Sequence, residues 1–403
     1  MKRIMMASLS VILLLASVLL YILFFVKGDG VEAPLQTDGE TLNTEQPEEI
    51  IKIPETINDI AYREITAPEW PNYEVASRPT IPWDMIVFEG DLYVGNGDYD
   101  ANAGPVCVMR YSVENGVWEN TGELPDEQIS RFCVLGDTLV IPGTDPRDPW
   151  DYGNYYVYQD GVWNVVRNIP NAIHNYDLIE YKEKVFAGIG VTAGLYPISC
   201  STDGGITFVQ VEMYKNGGKL DTAGKSYVRV YDFAVLGDEL YAFFRCVDGE
   251  TKIFELYRYN DETAVFEYVS DLSDKIGIRR ISYDLLRSKA LIENKLYFST
   301  GKLYSTADMD SFEIITLKDD HIVCDLYEYE GELYVLSGNP DGDGKYTVCV
   351  WQLYGEEFVE RFNFEYDAPP MSFACSENTF YIGFGNYISE NARNGTFVSV
   401  EIE

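Results

Sequence analysis

One phrase recurs along the chain and limits what it can fold into. It is an apolar stretch, a two-residue polar turn, then Leu-Tyr or an equivalent pair. Clear instances are Phe88-Glu89-Gly90-Asp91-Leu92-Tyr93, Leu135-Gly136-Asp137-Thr138-Leu139-Val140, Leu236-Gly237-Asp238-Glu239-Leu240-Tyr241 and Ile292-Glu293-Asn294-Lys295-Leu296-Tyr297. Tyr329-Glu330-Gly331-Glu332-Leu333-Tyr334 and Cys375-Ser376-Glu377-Asn378-Thr379-Phe380-Tyr381 continue the series, with a weaker copy at Lys182–Phe186. The second apolar segment begins at 92, 139, 185, 240, 296, 333 and 380, a mean spacing of 48 residues. Glu-Gly, Gly-Asp and Glu-Asn between apolar runs are tight hairpin turns.

A second phrase follows each of the first six copies: an aromatic residue opening a further strand, at Trp118, Trp163, Phe208, Phe266, Phe312 and Phe358. Each period therefore holds about four short strands. No helical pattern longer than two turns appears after residue 60. Four strands in a period of about 40–50 residues make one blade of a β-propeller. The expected fold is all-β, a seven-bladed β-propeller over residues 60–403. The seventh copy ends at Thr396-Phe397-Val398-Ser399-Val400 without a fourth strand, whereas Ala61-Tyr62-Arg63-Glu64-Ile65-Thr66 carries the outer-strand pattern. That N-terminal segment is expected to close the ring and remove an exposed edge.

Two families share features with these repeats. Ser201-Thr202-Asp203-Gly204-Gly205-Ile206-Thr207-Phe208 resembles the Asp-box hairpin of BNR-repeat propellers, and Ser305–Phe312 is a degenerate second copy. Repeats one and two look like Kelch-type blades, with Arg110-Tyr111 and Gly116-Val117-Trp118 following Leu-Tyr-Val. Gly95-Asn96-Gly97 stands where a Kelch blade has its double glycine. The resemblance is one of fold and implies no activity.

Ahead of the repeats, Ile4 to Val26 is a run of 23 residues without a charge, preceded by Lys2 and Arg3. As a helix it would extend roughly 34 Å, enough to cross a bilayer. It is longer than a signal-peptide core, and no small-residue cleavage site follows it. The expectation is an N-terminal transmembrane helix acting as signal anchor over 1–27. This localises the chain to the cell membrane as a single-pass protein, N-terminus inside and propeller outside. Residues 28–59, acidic and poor in large apolar groups, read as a disordered spacer. The chain has 66 acidic and 30 basic residues, a net charge of −36, which argues against nucleic acid as a partner. Seven cysteines without Cys-x-x-Cys spacing, and two histidines, argue against a structural zinc site.

The loops expected on one face of the propeller are long: 96–105, 143–154, 190–197, 338–345 and 385–395. Eight residues before the repeat marker stand Asp84, Asp177, Asp232 and Asp325, with Arg131 in repeat two and Asp284 displaced by inserted residues. These acids read either as a carboxylate ring for a ligand or as repeated strand-entry groups bonding backbone N–H. His174, Trp150, Asp151 and Tyr152 are the residues that break the repeat, and with the ring they form the candidate ligand-binding set. Tyr99 and Tyr387 add aromatic surface. Asp98, Asp100 and Asn102 alternate as in a calcium loop, although Met109 stands where the late bidentate Glu belongs. Asn339, Asp341 and Asp343 repeat that pattern, and turn formation is the competing explanation. No cofactor is expected, calcium being the one candidate.

Two functional readings follow. The first is a membrane-tethered extracytoplasmic binding or scaffold propeller, holding a glycan or protein on the long-loop face. The second is an extracellular carbohydrate-active enzyme of glycoside hydrolase type, using a pair of the top-face carboxylates. A sialidase is disfavoured, since Tyr62-Arg63-Glu64-Ile65 is not the early arginine motif and arginine is sparse. The absence of nucleophile-elbow, P-loop and dinucleotide motifs leans the reading towards binding.

Overall fold

The computed structural model describes residues 54–71, 78–102, 104–145, 149, 151–277, 286, 288–318, 321–386 and 391–402. Their regular structure is strand, with two short 3-10 turns at Arg78–Thr80 and Tyr99–Ala101. The hairpin phrase explains the connections. At Glu89-Gly90, Glu293-Asn294 and Glu330-Gly331 both central residues have positive φ, the turn geometry that matches the twist of paired strands.

The chain is an all-β β-propeller. Five sheets have four strands each. Repeat one contributes Asp84–Phe88, Asp91–Gly95, Val106–Ser112 and Val117–Leu124, each strand antiparallel to the next. Repeats two, five and six are built alike, with innermost strands Cys133–Leu135, Ser288–Ile292 and Ile322–Tyr329. Seven separate sheets were expected; repeats three and four instead share one sheet of ten strands. The join is at the start of the 11-residue strand Ser226–Leu236, where Arg229 and Val228 pair with Gly190 and Val191 of Lys184–Val191. Gly190 permits this: a Cβ there would lie 2.9 Å from the His174 ring and 3.3 Å from that of Tyr176. The ribbon Met213–Lys215 and Gly218–Lys219 completes the sheet, lying parallel to the outer strand Val265–Asp271.

The last sheet is ordered Arg63–Ile65, Thr396–Glu401, Thr379–Phe384, Pro370–Ser376. Arg63 pairs with Ser399 and Ile65 with Phe397, so the first and last strands of the propeller lie side by side. Residues 54–59, expected as spacer, lie along the outer strand of repeat six. Ile57 N donates to Arg361 O at 2.9 Å, Asn363 N to Ile57 O at 3.1 Å, and Ile60 N to Asn363 O at 2.9 Å. Tyr62 then packs on Phe364, ring centroids 4.9 Å apart.

The expected localisation is corrected. No helix among the described residues is long and apolar enough to cross a membrane, and a spanning helix would need about 20 apolar residues. The run from Ile4 to Val26, on which the anchor and the single-pass topology rested, lies outside the described residues.

A chain beginning at residue 54, one at 61 and one at 67 should melt at successively lower temperatures. The first step removes the backbone bonds to repeat six. The second removes the pairing to Thr396–Glu401 and the burial of Ile65, at about 1 kcal/mol per bond plus the apolar term. Thermal unfolding followed by circular dichroism checks this, and equal melting of the three would refute it.

Candidate functional site

The acids eight residues before four of the markers are ties between neighbouring repeats. Asp84 Oδ2 accepts from Phe132 N at 2.6 Å, Asp177 Oδ2 from Phe233 N at 2.9 Å, and Asp232 Oδ2 from Leu286 N at 3.0 Å. Asp325 Oδ2 accepts from Phe373 N at 3.1 Å. Ser288, at the equivalent place in repeat five, accepts from Leu326 N at 2.8 Å. Ser372 of repeat seven donates to Pro82 O at 2.8 Å, ahead of repeat one. Of the two readings of these acids, the strand-entry role is the one their hydrogen bonds describe.

Arg131 occupies the same position in repeat two and works against two of these acids. Its Nη1 lies 2.7 Å from Asp232 Oδ1 and 3.3 Å from Asp177 Oδ2. Lys289, which sequence reasoning missed, lies 2.5 Å from Asp177 and 3.5 Å from Asp232. Asp177 and Asp232 are buried. Burial pushes Asp177 up, but Lys289 and Arg131 outweigh it and hold its carboxyl below the ordinary range. Three of the quartet, Arg131, Asp177 and Lys289, line a cavity of about 420 Å³ together with Asp84, Asp325, Ser288 and Tyr327. A larger cavity of about 740 Å³ is lined by Lys302, Lys318, His321, Thr300 and Asn339 among others, and has no carboxylate in its described lining.

Above the quartet the loop face is drawn together. Isolated bridges link Gly97 to Gln128, Gln128 to Thr144, and Thr144 to His174. The loop of repeat one thereby reaches the inner strand of repeat three, where Tyr99 meets His174 edge-to-face at 5.4 Å. His174 packs on Tyr176 at 5.3 Å, and Tyr176 on Tyr231 at 4.4 Å. His174 is buried. Burial, with the nearby Arg229 charge, holds its pKa well below the usual value, so the ring is neutral at pH 7. Arg229 lies beneath the exposed Tyr227 ring at 4.9 Å and donates to Tyr231 Oη at 2.8 Å.

The remaining sequence candidates divide. Asp151 and Tyr152 are exposed at the start of Tyr152–Gln159, away from the charge quartet's lining; Trp150, Asp284 and Tyr387 lie outside the described residues. Asp98 is buried and caps the turn Tyr99–Ala101, its carboxylate accepting from Ala101 N at 3.3 Å, while Asp100 and Asn102 are exposed. Asp341 accepts from Asp343 N and Lys345 N, at 2.8 and 3.1 Å, closing its own turn. Among the described residues no group of three or more His, Cys, Asp or Glu is placed to hold a metal ion. The Asp-box-like hairpin is internally bonded: Asp203 accepts from Thr207 N at 2.8 Å and from its hydroxyl at 2.6 Å.

Sequence reasoning also missed Arg229, Tyr176 and Tyr231. A signal for them existed: His174-Asn175-Tyr176-Asp177 and Arg229-Val230-Tyr231-Asp232 are the same phrase in adjacent repeats. Asp126 was missed as well. It is 1% exposed under the loop of repeat two, and burial lifts its carboxyl to about 7, with Tyr156 and the Thr144 backbone N–H opposing.

No protein-family model matches the chain, and no curated protein does. Among solved structures, a chain of the mitotic checkpoint complex is 12% identical, covering 90% of this chain and 99% of that one, with a TM-score of 0.49. The Saccharomyces cerevisiae Sqt1 structure is 11% identical, covering 84% and 100%, with a TM-score of 0.45. Likenesses this weak assign neither family nor activity.

Asp126 sets a pH dependence of stability. Its folded pKa is raised, so the folded chain holds a proton that the unfolded chain releases above about pH 4. Stability from this group is full below that pH and is lost as pH rises through about 7. Asp126→Asn should therefore gain stability over the unsubstituted chain between pH 5 and pH 8, on the order of 2–4 kcal/mol at the upper end. Denaturant titrations across that range check it; a difference independent of pH would refute it.

Proposed function

We propose that the chain is a seven-bladed binding or scaffold propeller that holds a protein ligand on its long-loop face. The seven-blade reading treats the ten-stranded sheet as two blades fused at Gly190 and Arg229. The Asp-box-like hairpin supports a relationship to BNR-repeat propellers at the level of the blade. The observation that carries the functional reading is how the inner-strand acids are used. Asp84, Asp177, Asp232 and Asp325 each spend an oxygen on a backbone N–H, and two of them also neutralise Arg131 and Lys289. A glycoside hydrolase needs one carboxyl free to donate a proton and another free to attack or to activate water. What the loop face presents outward is aromatic: Tyr152 is 49% and Tyr227 57% exposed, and such rings are favoured anchors at binding surfaces.

The test is a peptide and glycan array probed with the full chain, with Tyr152→Ser and Tyr227→Ser, and with Val162→Ser on the outer rim. Peptide signals lost with the loop-face substitutions and kept with Val162→Ser are expected. Signals confined to glycans would replace the protein ligand by a carbohydrate one. Turnover of aryl-glycosides or polysaccharides by the chain would overturn the binding reading in favour of the enzyme.

A further inference from the structure

Among the described residues, two arginines on the loop face form no ion pair, in a chain that could readily supply acidic partners. Arg229 and Arg245 are directly opposite one another on the strands Ser226–Leu236 and Glu239–Asp248. Side chains opposite each other in a sheet share one face, and like charges so placed are destabilising. Both guanidinium groups do lie over the same ring, that of Tyr231, at 5.8 and 5.9 Å. In a chain with 66 acidic residues against 30 basic ones, a neutralising carboxylate beside them would be easy to place. Among the described residues, neither forms an ion pair with a carboxylate. Asp145 is the acid whose charge Arg229 feels, and its own pKa is raised, by burial first, with Arg229 opposing.

Their surroundings are built of aromatic faces. Arg229 is 8% exposed and has Tyr176, Tyr227 and Tyr231 around it, centroids 4.9–5.8 Å away. Arg245 has Phe254 at 5.4 Å. Cation–π contact holds a guanidinium in place while leaving its N–H edge free to bond in the ring-parallel direction. Arg229 gives one N–H to Tyr231. Backbone strain marks the same spot. Tyr227 has φ +51°, uncommon for a bulky residue, and the pairing register shifts between Ser226 and Arg229. The result is an exposed Tyr227 ring set over Arg229 at the mouth of the site. Strain of this kind persists where surrounding structure enforces it, and it clusters at ligand sites.

We propose that Arg229 and Arg245 form a receptor for a tetrahedral oxyanion, a phosphate or sulfate group, with Tyr176, Tyr227 and Tyr231 as its walls. Two forks on one side of a sheet suit the several acceptor oxygens of such a group. The oxyanion supplies the negative charge that the fold withholds. The proposal deepens the loop-face reading, but its test is separate, because a free anion can bind where no macromolecular ligand is found.

The experiment titrates the full chain with inorganic phosphate, inorganic sulfate and phenyl phosphate, by calorimetry and thermal melting, against sodium chloride at equal ionic strength. Phosphate or sulfate should raise the melting temperature above the chloride control. Arg229→Gln and Arg245→Gln should each weaken binding by about ten- to hundredfold, whereas Arg258→Gln, an exposed arginine paired with Glu239, should not. Phenyl phosphate binding tighter than inorganic phosphate would assign the group to an ester on an aromatic carrier; equal binding would assign it to the free anion. Without anion, Arg245→Gln should melt at or above the unsubstituted chain, since it relieves the cross-strand repulsion. A lower melting point for that variant, no anion-specific shift in the unsubstituted chain, or equal losses with Arg258→Gln would each overturn the proposal.

Discussion

The propeller depends on a bond type that lies outside its sheets. Within a sheet the backbone satisfies itself, but nothing in a four-stranded meander fixes it to the next one except side-chain packing and the ties at the strand entries. Asp84, Asp177, Asp232, Ser288 and Asp325 each accept a backbone N–H from the neighbouring repeat. Those N–H groups face away from their own sheets, and left alone several would be buried donors without partners, at about 1–3 kcal/mol each. In these five repeats one short side chain therefore does two things: it satisfies an orphaned donor and helps set the spacing of adjacent repeats. A carboxylate serves better than a hydroxyl because bonds to a charged acceptor are stronger.

Repetition of that solution has an electrostatic cost. Four carboxylates at equivalent places around a narrow interior repel one another in a medium where charge is weakly screened. Arg131 and Lys289 answer this at two of the buried inner positions, bridging Asp177 and Asp232. A buried network of this kind adds little net stability over an apolar replacement, but removal of one member leaves charge uncompensated. Arg131 is thus the complement of the ring rather than an exception to it. An acid at position 131 would have had no cation of its own.

How much of this is legible in the sequence follows from the range of each interaction. The hairpin phrase is local, so its period and the all-β class can be read directly from Leu92, Leu139, Leu240, Leu296 and Leu333. The acids could be located because they sit at a fixed offset from that phrase, yet their role could not be settled there, since each acceptor serves an N–H 48–56 residues away. The fused sheet was hidden for a similar reason: Gly190 looks like an ordinary loop glycine until Arg229 is seen opposite it. Asp98, Asp100 and Asn102 carry a local pattern with two meanings. Their alternation is a local pattern that suits a cation and also suits a capped turn, and the buried Asp98 makes the cap. Lys289 carried no local signal beyond being a cation in an acidic chain, whereas Arg229 stands three residues before Asp232 as His174 stands before Asp177.

That scarcity is itself informative, because it changes what a cation in this chain means. With acids in more than twofold excess, carboxylate partners are readily met, as by Lys182, Lys184, Lys215, Lys295 and Lys345. An unpaired guanidinium needs the acids to be kept away from it. Around Arg229 and Arg245 stand tyrosine and phenylalanine rings, which hold the cations by their faces and contribute no formal charge. The long strand Ser226–Leu236 makes this arrangement, since its extra first residues carry Tyr227 beyond the level at which the strands from His174 and Ile322 begin, and set Val228 and Arg229 against Val191 and Gly190. The feature that departs from the regular propeller, the sheet shared by two repeats, is therefore the one that brings the aromatic rings and the two arginines together. A site usually breaks the repeat it sits in, and here the break falls at arginines that form no ion pair among the described residues.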